Sequence, residues 1–583
     1  MSKEIKDVLV IFKTHLDIGF CDLGETIIKT YLEHFIPNAI KRGYELKDTD
    51  TPFIWTVGSW LVNEALKNDA DGTVAKAIED GIIKWHALPV TYFTEAMNRE
   101  LFEYGLSLSE NLDKRFGKNT ISAKMSDVPG HTIAMVPLMA KHGVEFLHFG
   151  ANCAYQPIVE YPLFRWVNGD DAITVMYAGH YGDTLEMDDF VITFAFTNDN
   201  LGPQSVEEIQ KIYADLRAQY PNANVRAATL DDVAIKLRAV QDRLPVVTNE
   251  IGDLWIQNVG TDPKKVSLYK ELLRHIEREG IHADLSDNLL MIPEHTWGGD
   301  VKAFWPDYSK YPVHEFVTTK NDPDRIRLER SWEEKREYLD KAQAVMGTSY
   351  TYEVKEPDLT GFTEIPVPAL DFEVSWQLFD RDNYRNLFNT VISKEYGVEW
   401  WVVMDNYKFG LPHYTGGIFT AQPQKAYTDG KKTIVHMTFD DQVTAQQGLP
   451  YIYAEIEGNE IAIKWFGALP SKLPQAYWMK IKGQKEENWQ IRKLGQWIDA
   501  DNVLASPLLH ATDKGVRNGE VEIECVDNML VAPYGRRLLD NERNPQNQDM
   551  YFNLYNNIWG CNHPMWYSDD SIFRFCIKKQ TNT

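Results

Sequence analysis

His15-Leu-Asp17 stands just past the first strand-like run, Val8-Leu-Val-Ile-Phe12. Extended chain repeats every two residues, so the imidazole and the carboxylate project to one side, at the strand end where α/β folds collect their sites. A nitrogen and an oxygen ligand at that spacing suit a borderline cation such as zinc. Taken alone, the pair reads first as a His–Asp hydrogen bond closing a strand. Asp127-Val-Pro-Gly-His131 follows the β-rich Ile121–Met125 and precedes a helix-like run from Ile133 to Lys141. That corner puts Asp127 at the same rim, although a turn or N-cap aspartate is the commoner fate before Pro-Gly. Asp199, in Thr197-Asn-Asp-Asn-Leu-Gly-Pro203, follows the strand-like Phe190–Phe196, and by itself is a turn residue. His295, in Glu294-His-Thr-Trp-Gly-Gly299, is a further candidate ligand whose competing reading is a packed, hydrogen-bonded histidine. Trp60 and Trp255 are candidate sugar platforms, with core packing as the alternative. The aromatic, amide-rich Phe552–Trp559 segment reads first as sandwich core.

The elements that must hold these residues change character along the chain. Over the first 300 residues, strand candidates (Val8–Phe12, Glu145–Phe149, Ile173–Tyr177, Phe190–Phe196) alternate with amphipathic helices. Ser205-Val-Glu-Glu208 is a capping box, and Asp262-Pro263 opens a helix that Gly280 closes. The alternation predicts an α/β, (β/α) barrel-like domain over 1–300. A charged helical pattern from Asp324 to Met346 marks a short helical segment, 301–350. From 351 to 583 the period becomes two, as in Tyr451–Ile456, Gly458-Asn459 and Ile461–Trp465, which predicts an all-β sandwich domain.

At 583 residues the chain exceeds one hydrophobic core, and about 150 residues per domain implies three or four units. Charged residues are 25% of the chain, an ordinary globular share that excludes wholesale disorder. A net charge of −25 argues against nucleic acid and anionic membrane as partners, since both require positive fields. The five cysteines are scattered without a CxxC, which suits free thiols and argues against a thiolate zinc site. No signal-peptide pattern and no apolar run of about 18 residues is present, so the expectation is a cytoplasmic protein.

In combination and order, these motifs resemble glycoside hydrolase family thirty-eight, the retaining α-mannosidases, of which the chain looks like a distant bacterial offshoot. His15-Leu-Asp-Ile-Gly-Phe20 is similar to the family's His-x-Asp-x-Gly-Trp opening, with Phe in place of Trp. Asp127-Val-Pro-Gly-His131 resembles its Asp-x-Phe-Gly-His segment, and Asp199-Asn-Leu-Gly-Pro203 resembles an Asp-(Gly)-Pro loop. Gly252-Asp-Leu-Trp255 and Gly260-Thr261 look like its Gly-Glu-Leu-Tyr and Arg-Gly-Thr elements. His295 stands where the family has a His-Asp pair.

The resemblance implies one zinc ion per chain, held by His15, Asp17, Asp127 and His295. It implies Asp127 as nucleophile and Asp199 as acid/base, about 5 to 5.5 Å apart as retention requires. The implied partner is an oligosaccharide or other glycoside, and a homo-oligomer is compatible with it. Two other readings stand beside this one: a zinc-dependent carbohydrate deacetylase, and a sugar-binding protein without activity.

Overall fold

A computed structural model describes residues 4–347, 350, 352–392, 408, 410–484, 487–504, 508–539, 544 and 546–579. The chain forms two compact units: residues 1–92 with 102–251, and residues 93–101 with 252–583.

The first unit is built on β1 (Asp7–His15). Val8 to Phe12 are fully buried, which fits an apolar run in a parallel strand covered on both faces. One edge of β1 pairs along its whole length with β9 (Phe190–Asp199). Its other edge is shared by β10 (Asn224–Ala227) at the start and β2 (Trp55–Gly58) at the end, with β3 (Ile83–His86) beyond β2. A second sheet runs in the order β11 (Val246–Val247), β6 (Leu163–Asn168), β7 (Asp171–Ala178), β5 (Phe146–Ala151) and β4 (Ser122–Asp127). Leu9, Ile11, Phe146, Met176, Ile192 and Leu230 belong to one apolar core fed by both sheets. Period two places Lys13 and His15 on the same strand face as Leu9 and Ile11, so the interior turns polar at the strand end.

The expected alternation is present, but the expected barrel is not a closed sheet: among the described strands the ladders form two open sheets. The reason lies in two hairpins. β6 runs antiparallel to β7, and β8 (Thr184–Glu186) folds back antiparallel on β9, so the parallel repeat that would close a ring is interrupted. Between β3 and β4, Ala87 N–H donates to Ser122 O at 2.9 Å.

In the second unit the punctuation also acts as anticipated. Asp262 caps Pro263–Glu279, which ends at Gly280, and a helix of 24 residues covers Pro323–Met346. Among the described residues, two antiparallel sheets of ten and six strands follow. Tyr451–Glu457 and Glu460–Phe466 form the hairpin read around Gly458-Asn459. Trp465 and Phe575 of the larger sheet meet Tyr477 and Phe552 of the smaller one, each pair with ring centroids 5.0 Å apart. Among the described residues no helix is long and apolar enough to cross a membrane, and the five cysteines are free thiols.

Candidate metal centre and active site

The strand ends of the first unit gather three of the expected ligands. His15, Asp17 and Asp127 are buried, and each offers one ligand atom within 4.8 Å of the others. His15 Nε2 lies 3.2 Å from Asp17 Oδ1 and 3.8 Å from Asp127 Oδ2. The other ring nitrogen, Nδ1, is 2.9 Å from Ser126 Oγ, so Nε2 is the atom turned toward the carboxylates. One imidazole and two carboxylates, buried and converging, could hold a divalent ion.

Backbone geometry accounts for the convergence. The β1–β9 register slips between Thr14 and His15, which brings Asp199 opposite His15. Asn200 then clasps the two loops together: its N–H donates to His15 O (3.1 Å), its Nδ2 to Gly19 O (3.2 Å), and its Oδ1 accepts from Asp17 N–H (3.1 Å). Asp127 closes β4 with φ of +86°, a left-handed conformation that a non-glycine residue adopts at a cost of order 1–3 kcal/mol. Its side chain is held at one oxygen: Oδ1 accepts from Tyr181 OH at 2.5 Å and from Asn152 Nδ2 at 2.7 Å. Gly150 makes room for this, because a Cβ there would lie 2.8 Å from His180 O and 3.1 Å from Tyr181 Cα.

Asp199 is pushed up to about 7, first by burial and then by the charges of Asp17 and Asp127, against the opposing influence of His15 and of the neighbouring Tyr181 hydroxyl. Its Oδ1 is buried without a hydrogen-bond partner. A protonated carboxyl beside ionised ones is the arrangement of a general acid. Tyr181 thus touches both carboxylates, and its own hydroxyl is held protonated, by burial first and then by Asp127 and Asp199. Below them sit two buried lysines. Burial pushes Lys124 down to about 8. Lys13 falls well below its ordinary range through burial and then through Lys124, although Asp127 and Asp199 oppose the shift.

The remaining expected residues are placed as follows. His295, in the second unit, is buried with Nδ1 3.0 Å from Glu294 Oε1, and Glu294 Oε2 is 3.0 Å from Lys335 Nζ. Trp60 is 5% exposed in the helix Ser59–Lys67. Trp255, equally buried, sits edge-on to Trp559 at 5.3 Å. Sequence reasoning missed Tyr181, Asn152, Asn200, Ser126 and the lysines. Only the lysines carried a signal, as charged residues inside apolar parallel strands.

The chain shares this architecture with solved structures. It is similar to an α-mannosidase from Enterococcus faecalis V583, at 10% identity and a TM-score of 0.59, covering 98% of this chain and 87% of that one. The fold is common to both. A protein in glycosyl hydrolase family 38 from Enterococcus faecalis is similar at 10% identity and a TM-score of 0.55, covering 99% and 86%. Residues 259–366 match a domain of unknown function, DUF5054. No curated protein sequence matches the chain.

Proposed function

We propose that the protein is a retaining glycoside hydrolase acting on α-mannoside-like sugars, with zinc bound at His15, Asp17, Asp127 and His295. The observation that carries this reading is the buried meeting of His15, Asp17 and Asp127 beside a raised Asp199. For His295, the support is its burial and its place in the chain, where the resembled family has a His-Asp pair. When bound, the ion would hold vicinal sugar hydroxyls and favour a ring distorted toward the oxocarbenium-like transition state.

The chain's own residues perform the rest. Asp127, fixed at Oδ1 by Tyr181 and Asn152, presents its other oxygen as nucleophile and forms a glycosyl-enzyme. Asp199 protonates the leaving oxygen and then takes a proton from the incoming water, so the anomeric configuration is retained. The free thiols fit a reducing, cytoplasmic setting.

A panel of aryl α-glycosides, assayed with and without a chelator, tests this directly. Activity lost with the metal and restored by Zn²⁺ is expected, together with a fluorinated sugar trapped on Asp127 by mass spectrometry. A deacetylase would release acetate and leave no sugar on the carboxylate. No turnover with any glycoside, in zinc-loaded protein, would sink the proposal.

A further inference from the structure

The buried side chains behind His15 run against the usual design of a metal site. A metal-bound imidazole ordinarily donates its far N–H to a carboxylate or carbonyl, which fixes the tautomer and raises the basicity of the ligand nitrogen. Here His15 Nδ1 meets the hydroxyl of Ser126 at 2.9 Å, and that same oxygen accepts from Lys124 Nζ at 3.2 Å. An ammonium is a donor only, and a hydroxyl oxygen has two lone pairs. A ligand role for His15 Nε2 requires its lone pair and so puts the ring proton on Nδ1; Ser126 Oγ then accepts from Lys124 with one lone pair and from His15 Nδ1–H with the other, and Nε2 faces Asp17 and Asp127.

The serine is fixed from its backbone as well. Thr91 Oγ1 donates to Ser126 O (3.1 Å) and accepts from Ser126 N–H (3.4 Å). His15, Ser126 and Lys124 are all buried, so the ammonium acts on the imidazole with little screening. Lys124 also lines a cavity of about 30 Å³ with Thr14, His86 and Thr91, enough room for a water to meet its other N–H groups and sustain its charge.

We propose that Lys124, acting through Ser126, is a positioning residue that places a positive charge behind the ligand His15, so that the site orients its cation yet holds it weakly enough to exchange. The inference rests on the reading of His15, Asp17 and Asp127 as a cation site. It separates two effects of opposite sign. Ser126 supplies orientation, and its loss weakens metal binding. Lys124 supplies repulsion, and its loss tightens binding, because a unit charge near a dication in a buried site acts on the scale of one or more tenfold steps in affinity.

The test is Zn²⁺ affinity at neutral pH, measured on the full chain by competition with a chromophoric chelator. Circular dichroism melting confirms that each variant is folded. Ser126→Ala is expected to bind about tenfold more weakly. Lys124→Met is expected to bind about tenfold more tightly, and Lys124→Gln, which keeps a hydrogen bond without the charge, to match it. If the wild type binds Zn²⁺ and both Lys124 variants bind equally or more weakly, the counter-charge is overturned while the metal site stands. If the wild type itself binds no Zn²⁺ at millimolar concentration, the site reading fails and this inference with it.

Discussion

Two aspartates, one in each unit, meet opposite environments. Asp262 in the second unit faces Arg336, which donates through Nε (2.8 Å) and Nη2 (2.7 Å). Burial alone would raise Asp262, yet the guanidinium prevails and holds it below the ordinary carboxylate range. Asp199 in the first unit is half-buried, with Asp17 and Asp127 as its acidic neighbours, and it is pushed up to about 7. The fold thus has the means to neutralise a buried carboxylate. Where like charges are instead crowded together, stability is given up, as the proposed catalytic role requires.

Breaking this comparison should give effects of different kind and size. Asp127→Asn is expected to lower kcat on an aryl α-glycoside by about 10⁴-fold or more, while the melting temperature of the metal-free protein stays level or rises as like charges are relieved. A clear fall in the melting temperature would place Asp127 with the structural carboxylates. Asp199→Asn should cost about 10²–10⁴-fold with a poor leaving group and much less with dinitrophenolate, which departs without a proton. Equal losses on both substrates would remove Asp199 from the acid role. Asp262→Asn keeps an N-cap side chain but abandons Arg336, and it should destabilise folding by about 3 kcal/mol in urea titrations. Unchanged stability would show that the contrast between the two units is empty.

The smallest effect concerns pH. Burial pushes His131 down to about 3, and His86 and His148 also fall well below their ordinary range, through burial and then the nearby lysines. The unfolded chain takes up these protons below about pH 6.5. The contribution is therefore complete above that value and shrinks as pH falls toward the folded values. Asp199 and the buried Asp253 act the other way, losing stability as pH rises, but His510 and His563 are lowered as well, so two strongly raised carboxyls stand against five strongly lowered histidines. Urea midpoints should accordingly drop between pH 7.5 and 5.5, and a level profile would refute the assignment of these histidines as neutral.

How far the sequence reaches can be judged residue by residue. His15 was legible as the end of β1, and Asp17 stands just beyond it, where the β1–β9 register has already slipped. Asp127 and Asp199 were legible as turn residues at strand ends, which is where they stand. Nothing local marks Tyr181 or Asn152, because their role arises only when the chain beyond β7 and the chain beyond β5 close over β4. The (β/α) pattern suggested a closed ring for a similar reason: periodicity identifies strands, but the antiparallel return of β6 and β8 is decided by pairing between segments. The lysines were visible yet uninterpretable, since a charge inside a strand gains meaning only from what it faces.

The left-handed backbone at Asp127 restricts which amino acids can ever occupy that corner. Short side chains that bond their own peptide groups tolerate such a φ far better than long ones, so aspartate and asparagine are admitted at modest cost while glutamate is penalised twice, in conformation and in reach. Drift at this position is thus channelled toward a single amide substitution, one that would remove the proposed nucleophile while sparing the chain's shape. An inactive descendant of this protein would therefore keep its architecture, and with it any capacity to grip a sugar.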